Sequence, residues 1–257
     1  ESRRDGTNHL YRMHCESWSA ARNELWTWVA AQSDSPTTKQ DQERLGQVLS
    51  QRSRSQEFFS STAEQWDRLR VELFGKRIDA FALAAALDSD RVVAELGCGS
   101  APLSQLIAPY VRQVFAVDSS EAMLAAARQR LEPSVGLDQK SSSCVELVHA
   151  ELTSTTLEKA SVDIAWMVLV LPYIDDPSEI FREAKRILKP DARLIVVDLQ
   201  PHERMTYRQE MGHLNLGTEK EKLKQWLEAS GLRLTRYDAL PPDTEVKGPG
   251  LFAAVAS

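Results

Sequence analysis

From about residue 92 to its end, the sequence alternates between short apolar runs and longer amphipathic stretches. The runs are rich in β-branched residues and predict strands, whereas apolar residues at three- and four-residue spacing predict helices. The predicted strands are 91–96, 113–117, 145–149, 162–169, 193–199, 232–237 and 250–256, and the clearest predicted helices are 119–131, 177–188 and 218–230. Alternating strands and helices require crossover connections. The pattern therefore predicts an α/β fold with a doubly wound, mostly parallel sheet whose two faces are covered by helices.

The first 90 residues follow a different pattern, with helical stretches at 17–32 and 41–73 on either side of a polar stretch, SDSPTTK. Polar residues with a proline between two periodic segments are typical of a linker. We therefore expect a helical N-terminal extension before the α/β domain. The predicted boundaries are 1–33, then a linker with helices at 34–75, then the α/β domain at 76–257. The polar stretch 132–143 is predicted to be a surface loop.

Charge and cysteine content limit the classes of function. The net charge of −6 argues against a nucleic-acid or membrane surface that extends over the whole chain. No apolar stretch approaches the ~20 residues of a membrane helix, and the N-terminus has no apolar signal core. Cys15, Cys98 and Cys144 form no CxxC pair, so no metal site is predicted and free thiols in the cytoplasm are expected. Because the chain begins with glutamate, we expect it to be part of a longer gene product.

The first predicted strand of the α/β part ends in a glycine turn, ELGCGSAP at 95–102. A glycine turn there lets a ligand approach the backbone closely, in dinucleotide sites as well as in others. The last glycine of the dinucleotide pattern is replaced by Pro102. A buried Glu95 beside the turn would repel a pyrophosphate but attract a cation. The two features favour a cationic ligand, with a solvated strand-end acid as the alternative for Glu95.

An acid at the end of the second predicted strand, Asp118, lies about 20 residues after the glycine turn, where a carboxylate can accept hydrogen bonds from ribose hydroxyls. The alternative is an N-cap for the following helix. Met123 falls on the first turn of that helix, where its thioether could pack on an adenine ring or in the core. Glu151 and Leu152 follow the third predicted strand and are candidates for the adenine edge.

Taken together, ELGCG at 95–99, VD at 117–118, AEL at 150–152, VDIAWMVLVLPYIDDP at 162–177 and LKPDARLIVVD at 188–198 resemble class I S-adenosylmethionine (SAM)-dependent methyltransferases. The resemblance covers about residues 58–257 and implies a seven-stranded sheet with an antiparallel last strand. It also implies SAM as cofactor. The cofactor-binding residues that we predict on this basis are Glu95, Gly97, Cys98, Gly99, Asp118, Ser119, Met123, Glu151, Leu152 and Val168.

Two positions depart from the pattern of that family. Ala101 replaces the usual third glycine of the loop, which we expect to leave SAM binding intact because backbone amides still line the turn. The frequent Leu-His pair after the fourth strand is Leu171-Pro172 here. This second change lies on the substrate side, so it puts any inherited substrate in doubt.

A narrower resemblance, to methyltransferases fused behind an ArsR-type winged helix, rests on FFSSTAEQWDRLRVELFG at 58–75 and DLQPHERMTYRQEMGHLNLG at 198–217. It implies that an aromatic helix caps the cofactor, with Phe59 and Trp66 near SAM. Residues 1–12 then resemble the end of a wing, and the helix at 17–32 a contact within a homodimer. Arg3 and Arg4 could contact phosphates, or belong to a solvated hairpin without a DNA role. We expect DNA binding only if the full-length protein contains a complete winged helix.

Methyl transfer from a sulfonium requires alignment of donor and acceptor, and a base is optional. The candidate catalytic residues are His213, His202 and Tyr173, with Glu203 and Tyr207 as further candidates in or near the same pocket. His213 is favoured because GHLNLG resembles the ArsR-linked group. The alternative for each histidine is a solvated side chain.

Three functions follow from these observations. The first is a methyltransferase that acts on a small molecule. The second is a transcriptional regulator whose methyltransferase domain senses SAM or S-adenosylhomocysteine with little or no turnover. The third, arsenite methylation, requires several converging cysteines, and the spacing of Cys15, Cys98 and Cys144 disfavours it.

Overall fold

In the computed structural model, the described residues are 2–5, 8–11, 18–32, 36–62, 65–132, 144–241 and 247–257. The chain divides into two compact units, Glu1–Gly75 and Lys76–Ser257. The sequence-based predictions for Cys15, for the side chains of Arg3, Arg4 and Phe59 and for the loop at 133–143 lie outside the described residues.

The first unit consists of a hairpin and helices. Its elements are β1 (Ser2–Asp5), β2 (Asn8–Tyr11), α1 (Ala20–Gln32), α2 (Pro36–Thr62) and α3 (Trp66–Phe74). β1 and β2 pair antiparallel. The predicted linker at 33–39 is too long, because α2 already begins at Pro36, and proline suits a first helical turn, where its missing N–H is not needed. The helical stretch at 41–73 consists of two helices, α2 and α3.

The second unit contains a seven-stranded sheet with the order β5-β4-β3-β6-β7-β9-β8. Its strands are β3 (Val92–Leu96), β4 (Gln113–Asp118), β5 (Val145–His149), β6 (Val162–Val168), β7 (Leu188–Leu199), β8 (Leu234–Ala239) and β9 (Leu251–Ala256). β9 is antiparallel to both of its neighbours, and the other pairs are parallel. The predicted fold class, including the antiparallel last strand, is confirmed.

Helices of the second unit are α4 (Ile78–Ala84), α5 (Pro102–Ile107), α6 (Glu121–Leu131), α7 (Ser178–Ile187), α8 (Thr206–Glu210) and α9 (Lys220–Ala229). α7 illustrates how they attach to the sheet: Ile180, Phe181, Ala184 and Ile187 recur at helical spacing, and all four are buried in the main core. None of the helices in the described part of the chain is both long and apolar enough for a membrane crossing.

β7 is longer than predicted, because it begins at Leu188, where the sequence pattern predicts the end of a helix. Pro190 disfavours a helical conformation at the residue before it, which is consistent with this early change to strand. The pairing of β6 with β7 is irregular between Val162 and Ile164, and Asp191 takes a positive φ of 63°. β6 ends one residue earlier than predicted, because Leu169 adopts a left-handed conformation with φ of 58°.

Candidate functional site

Most of the predicted site residues of the second unit lie at the edge of the sheet where its parallel strands end. β3 is flanked by β4 on one side and by β6 on the other, so the chain leaves β3 in one direction and later returns to its opposite side. Crevices at such a switch point are the usual ligand sites of open α/β sheets. The loops that follow β3, β4, β6 and β7 lie at this edge, where such a crevice is expected.

The glycine loop after β3 is held against the neighbouring strand and leaves no room for a side chain at Gly97. The amides of Gly97 and Cys98 both donate to the carbonyl oxygen of Val117 at 2.9 Å. Gly97 has a φ of 77°, and a Cβ added to it would lie 2.6 Å from Cγ2 of Val170. Gly99 also has a positive φ, 53°, but a Cβ there would meet no atom within 4 Å. The loop thus packs on the turn after β6 at Gly97 and is open at Gly99.

Glu95, the acid before the loop, is buried with 3% of its surface exposed. Its Oε2 atom accepts hydrogen bonds from the amide of Ser104, at 2.9 Å, and from the hydroxyl of Ser104. Burial raises the pKa of Glu95 to about 7; the Ser104 hydrogen bonds oppose this shift, and the nearby charge of Asp118 adds to it. Glu95 is therefore a desolvated carboxyl at the start of α5, and not the solvated strand-end acid that was the alternative.

Asp118, at the end of β4, connects the glycine loop to the start of α6. Its Oδ2 atom accepts from the amide of Gly99 at 2.7 Å, and its Oδ1 atom accepts from the amide of Ser120 at 2.8 Å. The N-cap of α6 is Ser120, whose hydroxyl accepts from the amide of Met123. Asp118 is thus not the N-cap, and each of its oxygens retains a lone pair for a ligand.

Ala101, which replaces the usual third glycine, adopts the left-handed conformation with φ of 56°. Its side chain is fully buried and packs with Cys98, Ala116 and Leu124. Pro102 follows in the first turn of α5. A left-handed alanine costs about 1 kcal/mol or more relative to glycine. The loop therefore keeps the backbone path of a glycine while a methyl group fills the core.

Asp198 is a site residue whose role is not predicted from the sequence. It lies fully buried near the end of β7, and its Oδ2 atom accepts from the amides of Val170 and Leu171 at 3.0 and 2.9 Å. Burial raises the pKa of Asp198 to about 6, against the effect of the backbone hydrogen bonds that it accepts. Through Val170, Asp198 fixes the turn that packs on Gly97. The available signal was the acid that ends the apolar run LIVVD.

The carboxylates Glu95, Asp118 and Asp198 share one property: none of them forms an ion pair with a lysine, arginine or histidine of the described residues. Their hydrogen bonds come from backbone amides and one hydroxyl. Buried carboxylates without a cation are costly in the ionised form. This edge of the sheet is consequently suited to a ligand that carries positive charge.

Three predicted catalytic residues, Tyr173, His202 and His213, lie in one aromatic cluster together with Tyr207. The ring centroids of His213 lie 5.0 Å from Tyr173 and 5.4 Å from Tyr207, and the His202 centroid lies 5.3 Å from Tyr207. The amides of Leu214 and the next residue both donate to the carbonyl oxygen of Pro172. The turn after β6 and the segment after β7 are therefore joined, and the structure brings these candidates together.

Both histidines of this cluster have an unsatisfied ring nitrogen. Nε2 of His202 and Nδ1 of His213 are buried and have no hydrogen-bond partner within the described part of the chain. Burial lowers the pKa of both rings, and for His202 the nearby His213 and Arg204 lower it further. The two imidazoles thus favour the neutral form, and they are close enough to influence each other electrostatically.

The remaining predicted residues take various positions. Leu152 lies next to Gly97, with its Cδ1 atom 3.6 Å from a Cβ built there. Cys98 is buried, and desolvation raises the pKa of its thiol to about 12, which makes it unreactive. Residues with exposed or half-buried side chains are Ser119, Met123, Glu151, Val168 and Glu203. Trp66 belongs to the first unit, where it contacts Phe58. No group of three His, Cys, Asp or Glu side chains suited to a metal ion occurs among the described residues.

A glycine loop at the switch point of a seven-stranded sheet whose last strand is antiparallel defines the Rossmann-like fold of SAM-dependent methyltransferases. Residues 94–196 match the family model described as "Methyltransferase domain". A ubiquinone biosynthesis O-methyltransferase from Hahella chejuensis is 32% identical over 119 residues, which is 46% of this chain and 47% of that protein. The chain spans less than half the length of the first curated relatives that it matches.

Solved structures agree on the fold. The [4+2]-cyclase SpnF superposes with a TM-score of 0.57 at 18% identity, over 69% of this chain and 78% of that one. A SAM-dependent methyltransferase from Mesorhizobium loti superposes with a TM-score of 0.54 at 20% identity, over 70% of this chain and 96% of that one. At these identities the likeness concerns the fold alone, and a cyclase among the neighbours illustrates that fold does not fix the reaction.

Residues 94–196 are thus similar to a methyltransferase domain, and the relatives that match include SAM-dependent methyltransferases. The cofactor of this class is S-adenosylmethionine. The residues present suit that cofactor, because the backbone is open to a close approach at Gly99 and the neighbouring carboxylates lack a cation among the described residues.

Proposed function

We propose that this protein transfers a methyl group from SAM to a small-molecule acceptor. The observation that carries the proposal is that Glu95 and Asp118, which adjoin the glycine loop, have no cationic partner among the described residues. Asp198, which binds the turn after β6, also lacks one among those residues. SAM has a sulfonium and an ammonium group, which would supply the missing positive charge. When bound, it provides a methyl group that is already activated for displacement.

The residues that would hold the cofactor surround the glycine loop. Asp118 has lone pairs left for ribose hydroxyls. The hydrogen bond that it accepts from the Gly99 amide holds the glycine loop beside it. Met123 is 50% exposed on the first turn of α6, so its side chain is available to an adenine ring and is not a core residue. Leu152 and Glu151 lie beyond β5, on the same edge. We assign the cofactor to the crevice bordered by these residues.

The acceptor would lie on the side of the crevice formed by the segments after β6 and β7. Tyr173, His202 and His213 are grouped there, and Val170 of the same turn contacts the glycine loop. The relative from Hahella chejuensis, an O-methyltransferase of ubiquinone biosynthesis, supports a small molecule as the acceptor. The contribution of these side chains would be to orient the acceptor, to exclude water and to hold a proton.

Calorimetric titration with SAM, adenosine and NAD⁺ tests the proposal. We expect SAM to bind more tightly than adenosine, because only SAM carries the positive charge that the carboxylates lack. A site that prefers NAD⁺, or that does not distinguish SAM from adenosine, would contradict it. Incubation of the protein with labelled SAM and cell extract would then reveal the acceptor as a labelled product.

A second function, regulation of transcription, is favoured by one observation in the first unit. The β1–β2 hairpin carries Arg3 and Arg4 and precedes a helix, the order expected at the end of a winged helix. We propose that the chain is the C-terminal part of an ArsR-type fusion that acts in the cytoplasm and dimerises through α1, whose Leu25 and Trp28 are exposed. SAM binding without turnover on any acceptor, together with a dimer in light scattering, would support this function.

A further inference from the structure

We propose that the acceptor is a flat, largely apolar molecule of the phenol class, whose hydroxyl group binds between Nε2 of His202 and Nδ1 of His213. The inference rests on the proposed methyltransferase function and assigns its substrate class. Its starting point is that both nitrogens are buried without a hydrogen-bond partner among the described residues. A buried polar atom of this kind normally has a partner, which a bound ligand can provide.

The hydrogen bonds of His202 fix the role of its free nitrogen. The backbone amide of Arg204 donates to Nδ1 of His202 at 3.2 Å. Because an amide N–H can only donate, Nδ1 must present a lone pair, and the neutral ring then carries its proton on Nε2. The unsatisfied Nε2 of His202 is therefore a hydrogen-bond donor that lacks an acceptor.

In the proposed site, His213 would supply the complementary group. Only 5% of its surface is exposed, and its ring is held by aromatic contacts with Tyr173 and Tyr207. Burial favours the neutral ring by lowering its pKa. A neutral ring with its other nitrogen protonated has a lone pair on Nδ1. One donor, on His202, and one acceptor, on His213, match the two hydrogen-bonding roles of a single hydroxyl group.

The segment after β7, which carries both histidines, and the turn after β6 also present apolar side chains to solvent. These exposed residues are Leu169, Tyr173, Met205, Met211 and Leu214, each with about half of its surface or more accessible. Large apolar side chains concentrated beside a polar pair are typical of small-molecule sites, in which apolar contacts bind the body of the ligand and a few polar groups orient it. Tyr and Met are well suited to an aromatic body.

The proposed step keeps atoms and electrons in balance. The hydroxyl proton passes to Nδ1 of His213 as the acceptor oxygen forms its bond to the methyl carbon. The carbon–sulfur bond breaks and leaves its electron pair on sulfur, so the sulfonium charge is lost and an imidazolium charge appears on His213. His213 then returns the proton to solvent. A phenolic hydroxyl suits this step better than an aliphatic one, because it is more acidic and its proton transfer to a neutral imidazole is less uphill.

Nitrogen NMR of protein labelled at histidine tests the inference with 4-nitrophenol as the probe, in the presence and absence of S-adenosylhomocysteine. We expect free His202 to show the Nε2–H tautomer. Addition of 4-nitrophenol should shift Nε2 of His202 and Nδ1 of His213. His149 is the internal control, because both of its ring nitrogens already have partners, at Ser119 and Glu121. 4-Nitroanisole, which lacks the hydroxyl, should shift neither cluster histidine in this way.

Variants separate the two nitrogens. His202→Asn can still accept from the Arg204 amide but removes the Nε2 donor, and His213→Asn retains a hydrogen-bonding group but no base. We expect the first to weaken 4-nitrophenol binding about tenfold, equivalent to one hydrogen bond of ~1.4 kcal/mol. We expect the second to bind the probe nearly normally but to lose kcat with little change in KM for any phenol that turns over.

Two failures can be told apart. If S-adenosylhomocysteine binds but 4-nitrophenol shifts neither His202 nor His213, the phenol site is wrong and the proposed methyltransferase function stands. If neither SAM nor S-adenosylhomocysteine binds, the proposed function fails. Shifts with 4-nitrophenol in that case would still support a phenol site.

Discussion

Carboxylates at the two edges of the sheet differ in whether they have cationic partners and in the direction of their pKa shifts. At the amino-terminal edge, Asp163 forms ion pairs with Lys189, at 2.8 Å, and with Arg91, at 3.4 Å. Burial opposes its ionisation, but the hydrogen bonds from these two residues and from the Val92 amide outweigh burial and lower the pKa of Asp163. Nearby, Arg186 pairs with Glu183 at 2.6 Å and, helped by Thr155, lowers the pKa of Glu183 to about 2.

At the carboxyl-terminal edge, Glu95 and Asp198 have pKa values raised to about 7 and about 6, chiefly by burial. Neither of them has a cationic partner among the described residues. Charged groups at the first edge therefore stabilise the fold, whereas those at the second edge cost stability in the free protein. Residues that are retained although they cost stability are expected at functional sites. The electrostatics therefore indicate that the carboxyl-terminal edge binds the ligand, and this indication does not depend on the glycine motif.

The largest change in stability is expected from Glu183→Gln. The variant leaves Arg186 without its carboxylate and weakens the hydrogen bonds of Thr155, which reach Glu183 at 2.8 and 2.6 Å. Because Arg186 is partly solvated, we expect a loss of about 3 kcal/mol in the free energy of unfolding, the low end for a broken buried pair. Urea denaturation measures it. SAM affinity should be unchanged. A parallel loss of SAM binding would contradict the statement that charged groups at the amino-terminal edge act on stability alone.

Glu95→Gln should have the opposite effect on stability. The carboxyl of Glu95 has a folded pKa of about 7 against an ordinary value of 4.5, so the folded protein binds its proton more tightly than the unfolded chain. Its contribution to stability is therefore full below about pH 4.5 and is lost as the pH rises through 7. At pH 8 the glutamine variant should be more stable than wild type by about 2–3 kcal/mol, and this difference should shrink as the pH falls.

The same substitution should weaken SAM, because a neutral amide does not attract a cation. SAM binding to the wild type should release a proton near pH 7, measurable as a dependence of the calorimetric enthalpy on the buffer, since SAM favours the ionised carboxylate. The groups that surround Glu95 are Ser104, Asp118 and Cys98. A larger loss of affinity for neutral adenosine than for SAM would refute the electrostatic role of Glu95.

The alternation of apolar runs was sufficient to predict the seven strands and the class of fold, because each strand of a parallel sheet is a short, nearly continuous apolar run. Errors occurred where the local pattern is ambiguous. Leu188 continues the helical spacing of α7 and yet pairs with Val162 as the first residue of β7. Periodicity cannot reveal such a change when one apolar residue fits both elements.

Individual site residues were predictable when a motif marked them, as for Glu95 and Asp118. Asp198 lies within a motif, but the motif does not predict its role. That role is to accept hydrogen bonds from two amides of the turn after β6, 28 and 27 positions away. Pairing across strands depends on the order of strands in the sheet, which one sequence does not supply. The grouping of His202, Tyr207 and His213 with Tyr173 is a similar case.

Asp118→Ala should reduce SAM affinity by about 1–3 kcal/mol, the usual effect of losing a charged hydrogen-bond partner. The variant loses the proposed contacts to the ribose hydroxyls. It also loses the hydrogen bond that the Gly99 amide donates to Asp118 at 2.7 Å. Asp163→Ala is the matched control at the other edge: it should lower stability through Lys189 and Arg91 and leave SAM affinity unchanged. Unaltered calorimetric affinity in Asp118→Ala would remove this residue from the cofactor site.

The smallest change in stability is expected from Ala101→Gly. Its comparison with Ala160→Gly tests a difference in side-chain packing between the two edges, and not a difference in charge. Ala101 and Ala160 both have positive φ values, 56° and 53°, and glycine relieves that strain at either position. Ala160 is exposed at the amino-terminal edge, so Ala160→Gly should raise the free energy of unfolding by about 1 kcal/mol.

Ala101 is fully buried against Cys98, Ala116 and Leu124, so its replacement also removes a packed methyl group worth about 0.8 kcal/mol. The two terms nearly cancel, and we expect Ala101→Gly to change stability by less than about 0.5 kcal/mol. Since the amides of Gly97 and Gly99 keep their positions, SAM affinity should also stay the same. Parallel urea titrations of the two glycine variants measure the difference. A gain at Ala101 equal to that at Ala160 would mean that the buried methyl contributes nothing, and a loss of SAM binding would mean that it shapes the loop for the cofactor.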